Sequence, residues 1–158
     1  MASPLNLIHP LLLLLISTVR SSTLPEVHDI LAVFDLPVGI LPDAVKSYTL
    51  SDTGDFTVTL ESTCYVHFDD QLVYYDDQIK GKLSKGSVTD VSGIQAKKLF
   101  IWVSVTGMKV DEGDGTVVFY VGALSEKLPA KLFETVPRCG KKVGMRSAVV
   151  DAIGGLFS

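Results

Sequence analysis

A strict alternation of apolar and polar residues runs through the middle of the chain. Between positions 56 and 68 the apolar residues fall at even positions: Phe56, Val58, Leu60, Cys64, Val66 and Phe68. Successive side chains of a β-strand point to opposite faces, so this period of two predicts a half-buried strand. The pattern turns Cys64 toward the core and His67 toward solvent, although a break at Ser62-Thr63 would reset the phase.

A helical period precedes this segment. Val27, Ile30, Leu31 and Phe34 recur at the spacing of one helix face, and Pro37 ends the pattern. After Tyr48 the period is two, turn residues recur at short intervals, and no second helical pattern separates the strands. This arrangement favours antiparallel pairing over β-α-β units. The predicted fold is mainly β, a single antiparallel β-barrel with a short N-terminal helix.

The last two predicted strands, residues 97–110 and 116–124, carry a surplus of apolar side chains. Within them, residues 99–103 and 117–121 are apolar at both odd and even positions. Both faces of these strands must therefore pack against other apolar groups. An ordinary packed core beneath the helix is the simpler explanation, and an internal apolar cavity is the alternative. The side chains that would line such a cavity are Leu99, Ile101, Val103, Val117, Phe119 and Val121.

The N-terminal residues predict export from the cell. Residues 11–16 form an unbroken apolar run that is too short to span a bilayer but suits the core of a signal peptide. We place cleavage after Ser21, so residues 1–21 are a signal peptide and residues 22–158 form one domain. The expected location is extracellular, with an uncleaved membrane anchor as the alternative.

The cysteine count and the net charge indicate a disulfide and the kinds of partner that the protein could bind. Cys64 and Cys139 are the only cysteines, and in an oxidising compartment an even pair predicts a disulfide, with two buried free thiols as the alternative. A formal charge of −4 gives no net attraction for nucleic acid. Late basic residues, Arg138, Lys141 and Lys142, would allow a weak contact with an acidic polysaccharide, although a solvated tail explains them more simply.

No residue pattern predicts catalysis. The triplet Asp52-Thr53-Gly54 resembles that of aspartic proteases but occurs once and lacks the apolar residues that normally precede it. Cys64 and His67 are three apart on a strand, so they point to opposite faces and cannot easily share a metal ion. His28 falls on the polar side of the helix, and we predict both histidines to be surface residues. We therefore predict no catalytic residue, no metal site and no cofactor.

Short strings spread along the chain occur in a characteristic order. They are Leu36-Pro37-Val38-Gly39-Ile40-Leu41-Pro42, then Gly54-x-Phe56-x-Val58-x-Leu60 with Cys64, Tyr75 with Ile79-x-Gly81-x-Leu83, Trp102, Val121-Gly122, and Phe133 through Pro137-x-Cys139. This set resembles a plant family catalogued as domain of unknown function 538, over about residues 30–139. The resemblance implies a secreted one-domain β-barrel with likeness to the lipid-binding bactericidal permeability-increasing proteins. Hydrolysis of chlorophyll during stress is a second role that it implies.

The leading hypothesis is a secreted, non-enzymatic protein of the plant apoplast that binds a lipid or another apolar or amphipathic molecule. Its basis is the surplus of apolar strand faces, with which the implied lipid binding agrees. A hydrolase of pigment or lipid esters that acts in the stress response is the first alternative, and the sequence offers no nucleophile and base for it. A structural or interaction module is the second alternative. The sequence assigns no oligomeric state.

Overall fold

The computed structural model describes residues 26–140. The predicted signal peptide and the basic residues Lys141 and Lys142 lie outside the described residues. In this part of the chain there are one α-helix, α1 (Val27–Val33), two 3-10 helices, η1 (Val38–Ile40) and η2 (Ala130–Phe133), and eight strands: β1 (Val45–Leu50), β2 (Asp55–Leu60), β3 (Cys64–Phe68), β4 (Gln71–Ser84), β5 (Ser87–Lys98), β6 (Ile101–Asp111), β7 (Thr116–Val121) and β8 (Leu124–Pro129). No helix within residues 26–140 is long and apolar enough to cross a bilayer.

All eight strands belong to one antiparallel sheet. Their order is β1-β2-β4-β5-β6-β7-β8, and β3 pairs with β4 beside this path. The long strand β4 is shared, because residues 71–75 pair with β3 and residues 78–82 pair with β2. The mainly β, antiparallel class with one α-helix is confirmed. Within the described residues β1 and β8 do not pair with each other, so closure into a barrel is not confirmed.

The alternating segment forms two strands rather than one. β2 ends at Leu60 and β3 begins at Cys64, and the two pair with different halves of β4. Three residues intervene, and the buried positions stay even on both sides of the break: Val58, Leu60, Cys64, Val66 and Phe68. The periodicity therefore predicts the side-chain directions correctly, and the break considered at Ser62-Thr63 interrupts the strand without resetting the phase.

The inner face of the sheet is filled by side chains. The helix α1 contributes Val27 and Leu31, and Phe133 of η2 packs against Phe68 and Phe119 with ring centroids 4.8 and 5.2 Å away. Tyr75 is buried, and its hydroxyl donates a hydrogen bond to the Ile40 carbonyl oxygen at 2.8 Å. Voids of about 30 and 40 Å³ lie among these core side chains, each about the space of one water molecule.

A disulfide ties the chain after η2 to the start of β3. The sulfur atoms of Cys64 and Cys139 are 2.08 Å apart, as the even cysteine count predicts. Beside this bond, Tyr65 and Gly140 exchange two backbone hydrogen bonds of 2.9 Å. The free edge of β3 is thus partly covered by the residues that end the described chain.

Candidate functional site

Three two-residue hairpin loops lie side by side at one end of the sheet. Asp69-Asp70 joins β3 to β4, Leu99-Phe100 joins β5 to β6, and Gly122-Ala123 joins β7 to β8. The side-chain amide of Gln71 donates to the Lys97 carbonyl at 3.1 Å, which holds the first two hairpins together. We call residues 97–103 and 121–126, which form the second and third hairpin ends, the apolar end.

The apolar end exposes large hydrophobic side chains. Leu99 is 90% exposed, Phe100 95%, Ile101 64% and Leu124 75%. Single exposed apolar residues are ordinary on soluble proteins, but a contiguous group of them marks an interaction site. The four side chains belong to one open groove of about 720 Å³, whose rim also carries Lys98, Ser125 and Glu126.

The six residues predicted to line an internal cavity do not surround one space. Leu99, Ile101, Val103 and Val121 border the external groove, Phe119 and Val121 border one of the small interior voids, and Val117 is fully buried. The cause is the loop at Leu99-Phe100, which falls within a predicted strand. Because the chain reverses there, Leu99 and Ile101 lie at the tip of a hairpin instead of within a covered strand.

The backbone at the tip of the second hairpin is in a region that favours glycine. The first residue of each of the three loops has a positive φ: 55° at Asp69, 55° at Leu99 and 60° at Gly122. Glycine adopts this region freely and aspartate tolerates it, whereas leucine loses about 1–2 kcal/mol there. A glycine at position 99 would therefore suit the backbone of this turn better than Leu99 does.

An aromatic cluster lies behind the loops on the outer face of the sheet. The Trp102 ring centroid is 6.0 Å from that of Tyr65 and 6.1 Å from that of Tyr74, and the two tyrosines are 5.2 Å apart. Lys97 Nζ lies 5.7 Å from the Trp102 ring centroid. Partial burial, followed by a hydrogen bond to Asp76, raises the pKa of Tyr74 above its ordinary value.

Charges around the apolar end nearly cancel. Lys98 Nζ contacts both Gln71 Oε1 and Glu126 Oε2. Lys97 is the second cation, and the neighbouring loop contributes Asp69 and Asp70. Two lysines thus stand against three carboxylates, and the region has no positive field that would select an anionic ligand.

Neither His28 nor His67 occupies an arrangement suited to catalysis. The prediction that His28 is a surface residue is wrong: it is buried, because the connector after α1 folds over this side of the helix. Its Nε2 faces the carbonyl oxygens of Leu41 and Pro42 at 3.3 and 3.1 Å, and both are backbone groups rather than nucleophiles. His67 is exposed, as the alternation predicts.

The remaining predicted contacts are spread over the surface. Arg138 is exposed, and its two predicted partners in a polysaccharide contact, Lys141 and Lys142, lie outside the described residues. Among residues 26–140, no group of three or more His, Cys, Asp or Glu side chains could hold a metal ion. The apolar end is therefore the strongest candidate site.

Sequence reasoning missed two members of this site, Phe100 and Leu124. The signal for Phe100 is the run of five apolar residues from 99 to 103, which is too long for a strand with one solvent face. Leu124 lies outside this run, and only the preceding Gly122 marks a turn beside it. Two covered strand faces are one explanation of this run. An exposed tip is the other explanation of the same pattern.

Comparison with known proteins places this region within a family. The family model described as "Protein of unknown function, DUF538" matches residues 27–134, which include the sheet and the apolar end. An uncharacterized protein of Arabidopsis thaliana, At5g01610, is 30% identical over 131 residues, which cover 82% of this chain and 74% of that protein. No solved structure matches significantly. These matches confirm the resemblance noted in the sequence.

Proposed function

We propose that this chain, which belongs to the DUF538 family of proteins of unknown function, is a non-enzymatic protein that binds an apolar or amphipathic molecule at the apolar end. One observation carries the proposal: Leu99 and Phe100 are almost fully exposed at the tip of a hairpin. The leucine occupies a backbone position that favours glycine. A binding partner that covers these side chains gives a physical reason for both features.

An external site agrees with the packing better than an internal one. The interior voids of about 30 and 40 Å³ are far below the roughly 300–1,000 Å³ of small-molecule sites, whereas the groove of about 720 Å³ falls in this range. The hydrocarbon part of a ligand would lie on Leu99, Ile101 and Leu124. Its polar part would meet Lys98 and Glu126 at the rim.

The apolar contacts are large enough for measurable affinity. Full burial of one leucine or phenylalanine side chain contributes roughly 1.5–3 kcal/mol. Cover over Leu99 and Phe100 alone would therefore supply about 3–6 kcal/mol before the costs of association are subtracted. We expect a reversible complex of modest affinity, with the ligand released when competing apolar surface is present.

The proposed location is the plant apoplast. It is supported by the predicted signal peptide at residues 1–21 and by the disulfide between Cys64 and Cys139, which suits an oxidising compartment. Protein recovered from extracellular fluid should have the intact mass of residues 22–158 with one disulfide. Recovery of the uncleaved chain from a membrane fraction would instead support the anchor.

Titration with lysophosphatidylcholine below its critical micelle concentration tests the binding proposal. Native mass spectrometry detects the complex, and Trp102, the only tryptophan, reports on the adjacent site by fluorescence. We expect one saturable complex, and at least tenfold weaker binding by the double variant Leu99→Asn/Phe100→Ser, since two apolar side chains are lost. Asparagine keeps a residue that tolerates positive φ at position 99.

Val33→Ser is the matched control. Val33 is 79% exposed on α1, away from the apolar end, so this variant also removes one exposed apolar side chain. We expect it to bind as the unmodified protein does. Equal affinity of the control and the double variant would show that the site lies elsewhere, and the absence of any complex would refute the proposal.

A further inference from the structure

We infer that the apolar end docks onto the surface of a lipid membrane whose headgroups carry no net charge, with the Leu99-Phe100 loop and Leu124 inserted among the lipids. This inference rests on the proposed function and specifies the source of the amphipathic molecule. Three features of the described residues support it: the shape of the site, the order of side chains behind the tip, and the balance of charge.

The shape favours a fluid surface over a single small ligand. Leu99 and Phe100 project from the loop of a hairpin and are almost fully exposed, so their surface faces water on several sides. A small molecule in the groove would cover only the sides that face it. Lipid chains, in contrast, surround a protruding side chain and remove its whole surface from water.

The side chains behind the tip follow the polarity profile of a lipid–water interface. Lys98 pairs with Ile101 next to the loop, and Lys97 pairs with Trp102 one step further back. At about 3.3 Å per residue, the tryptophan lies about 7 Å behind the tip. Tryptophan and tyrosine prefer the headgroup level, and interfacial segments place their apolar faces roughly 5–10 Å into the membrane.

The residues around Trp102 suit the headgroup level as well. Tyr65 and Tyr74 contact its ring, and each carries a hydroxyl beside an apolar ring. Lys97 lies over the same ring and can extend its ammonium group toward water while its alkyl stem stays in apolar surroundings. Along β5 and β6 the apolar tip is thus followed by Lys98 opposite Ile101, and then by Lys97 and Trp102 at one level.

The nearly balanced charges around the apolar end favour a membrane without net charge. An anionic membrane would attract Lys97 and Lys98, but it would repel Asp69 and Asp70 on the neighbouring loop, and Lys98 already contacts Glu126. Apolar burial must then supply the binding, so added salt should change it little. The acidic loop, which lies level with the Leu99-Phe100 loop, would meet the polar headgroups, where its carboxylates stay hydrated, and the other two hairpins would enter the interface.

Vesicles of phosphatidylcholine with brominated acyl chains test the inference on the full-length secreted chain. Bromine quenches tryptophan, and Trp102 is the only tryptophan. We expect co-flotation with the vesicles, and stronger quenching of Trp102 by bromine at shallow acyl positions than by bromine at deep ones. Phe100→Ser and Leu124→Ser should each lower the partition coefficient at least tenfold. Val33→Ser should leave it unchanged, as should a rise in salt.

The other outcomes separate this inference from the proposed function. Saturable binding of lysophosphatidylcholine without vesicle binding would overturn the membrane inference and leave the proposed function standing. Binding only to anionic vesicles, lost at high salt, would also overturn it, as would a dimer in solution that Phe100→Ser dissociates. Failure to bind lysophosphatidylcholine and vesicles alike would refute both.

Discussion

The two ends of the sheet are built from similar short turns but carry opposite kinds of side chain. At the end opposite the apolar end, β4 turns into β5 at Lys85-Gly86, and β6 turns into β7 through residues 112–115. Glycine takes the positive φ in both turns, 71° at Gly86 and 65° at Gly115. At the apolar end Leu99 takes that role in one hairpin and Gly122 in another.

This difference shows that the fold does not require exposed apolar side chains at its hairpin turns. The polar turns show that the same sheet ends in glycine and charged residues without exposing apolar side chains. Leu99 and Phe100 bury almost no surface in the folded chain, so they contribute little to its stability. Changes at the apolar end should therefore alter binding, whereas changes in the shared core should alter stability.

The largest expected effect comes from the disulfide, which lies outside both ends. It links residues 75 apart in sequence, and the double variant Cys64→Ala/Cys139→Ala should lose about 4 kcal/mol of unfolding free energy. Urea unfolding measures this loss. Lysophosphatidylcholine affinity at low urea should be unchanged. A loss of affinity without a loss of stability would contradict the expectation that the disulfide affects stability and the apolar end affects binding.

A pair of single substitutions tests directly whether the core affects stability and the apolar end affects binding. Ile79 is buried in the core, and Ile79→Ala should cost about 3 kcal/mol of stability. Phe100→Ser should change the unfolding free energy by no more than about 0.5 kcal/mol. The order should reverse for lipid affinity, measured on the same preparations. If Phe100→Ser destabilises the protein as much as Ile79→Ala does, the tip is structural.

Alkaline pH weakens the core through one buried hydroxyl, that of Tyr75. Burial raises the pKa of Tyr75 above its ordinary value, so the unfolded chain loses this proton at a lower pH than the folded chain does. Tyr75 contributes no pH dependence well below pH of about 10, and the protein loses stability as pH rises beyond that value.

The variant Tyr75→Phe isolates this contribution. It should be less stable at neutral pH by about 1–3 kcal/mol, because the Ile40 carbonyl oxygen loses its hydrogen bond. Its stability should then fall less steeply with rising pH in urea titrations between neutral and alkaline buffers. An identical pH slope in both proteins would mean that Tyr75 is not the group responsible.

An exchange between two hairpins gives the smallest effect and the sharpest comparison. Gly122→Leu places a side chain at positive φ, with its Cβ 2.9 Å from Val103 Cγ1, and should lose about 1–2 kcal/mol. Leu99→Gly relieves the same strain, partly offset by the roughly 0.5–1 kcal/mol entropic cost of glycine, so stability should stay equal or rise slightly. Thermal unfolding decides between these outcomes, and a clear loss in Leu99→Gly would show that the leucine stabilises the turn.

Much of the fold could be predicted from local pattern. The alternation around Val58 and Val66 identifies the buried face, because successive side chains of a strand point to opposite faces. The even cysteine count identifies the disulfide, because only one pairing is possible. The position of His28 could not be predicted in this way. The helix period places it on the polar side, and only the return of Leu41 and Pro42 buries it.

The candidate site was harder to predict than the fold. Turns are recognised by Gly, Pro, Asn or Asp, and Leu99-Phe100 contains none of them. The two apolar residues that make this loop a candidate site also lack the usual sequence signal of a turn. Gly122 carried a turn signal, but its strong apolar neighbours favoured a continuous strand through Leu124.

Hydrogen–deuterium exchange with and without phosphatidylcholine vesicles compares the two ends in one experiment. We expect slower exchange of backbone amides in residues 98–103 and 121–125 when vesicles are present, since lipid excludes water from the apolar end. Amides of residues 85–87 and 112–116 should exchange at the same rate in both samples. Protection at the polar turns, or no difference at either end, would contradict the assignment of lipid binding to the apolar end.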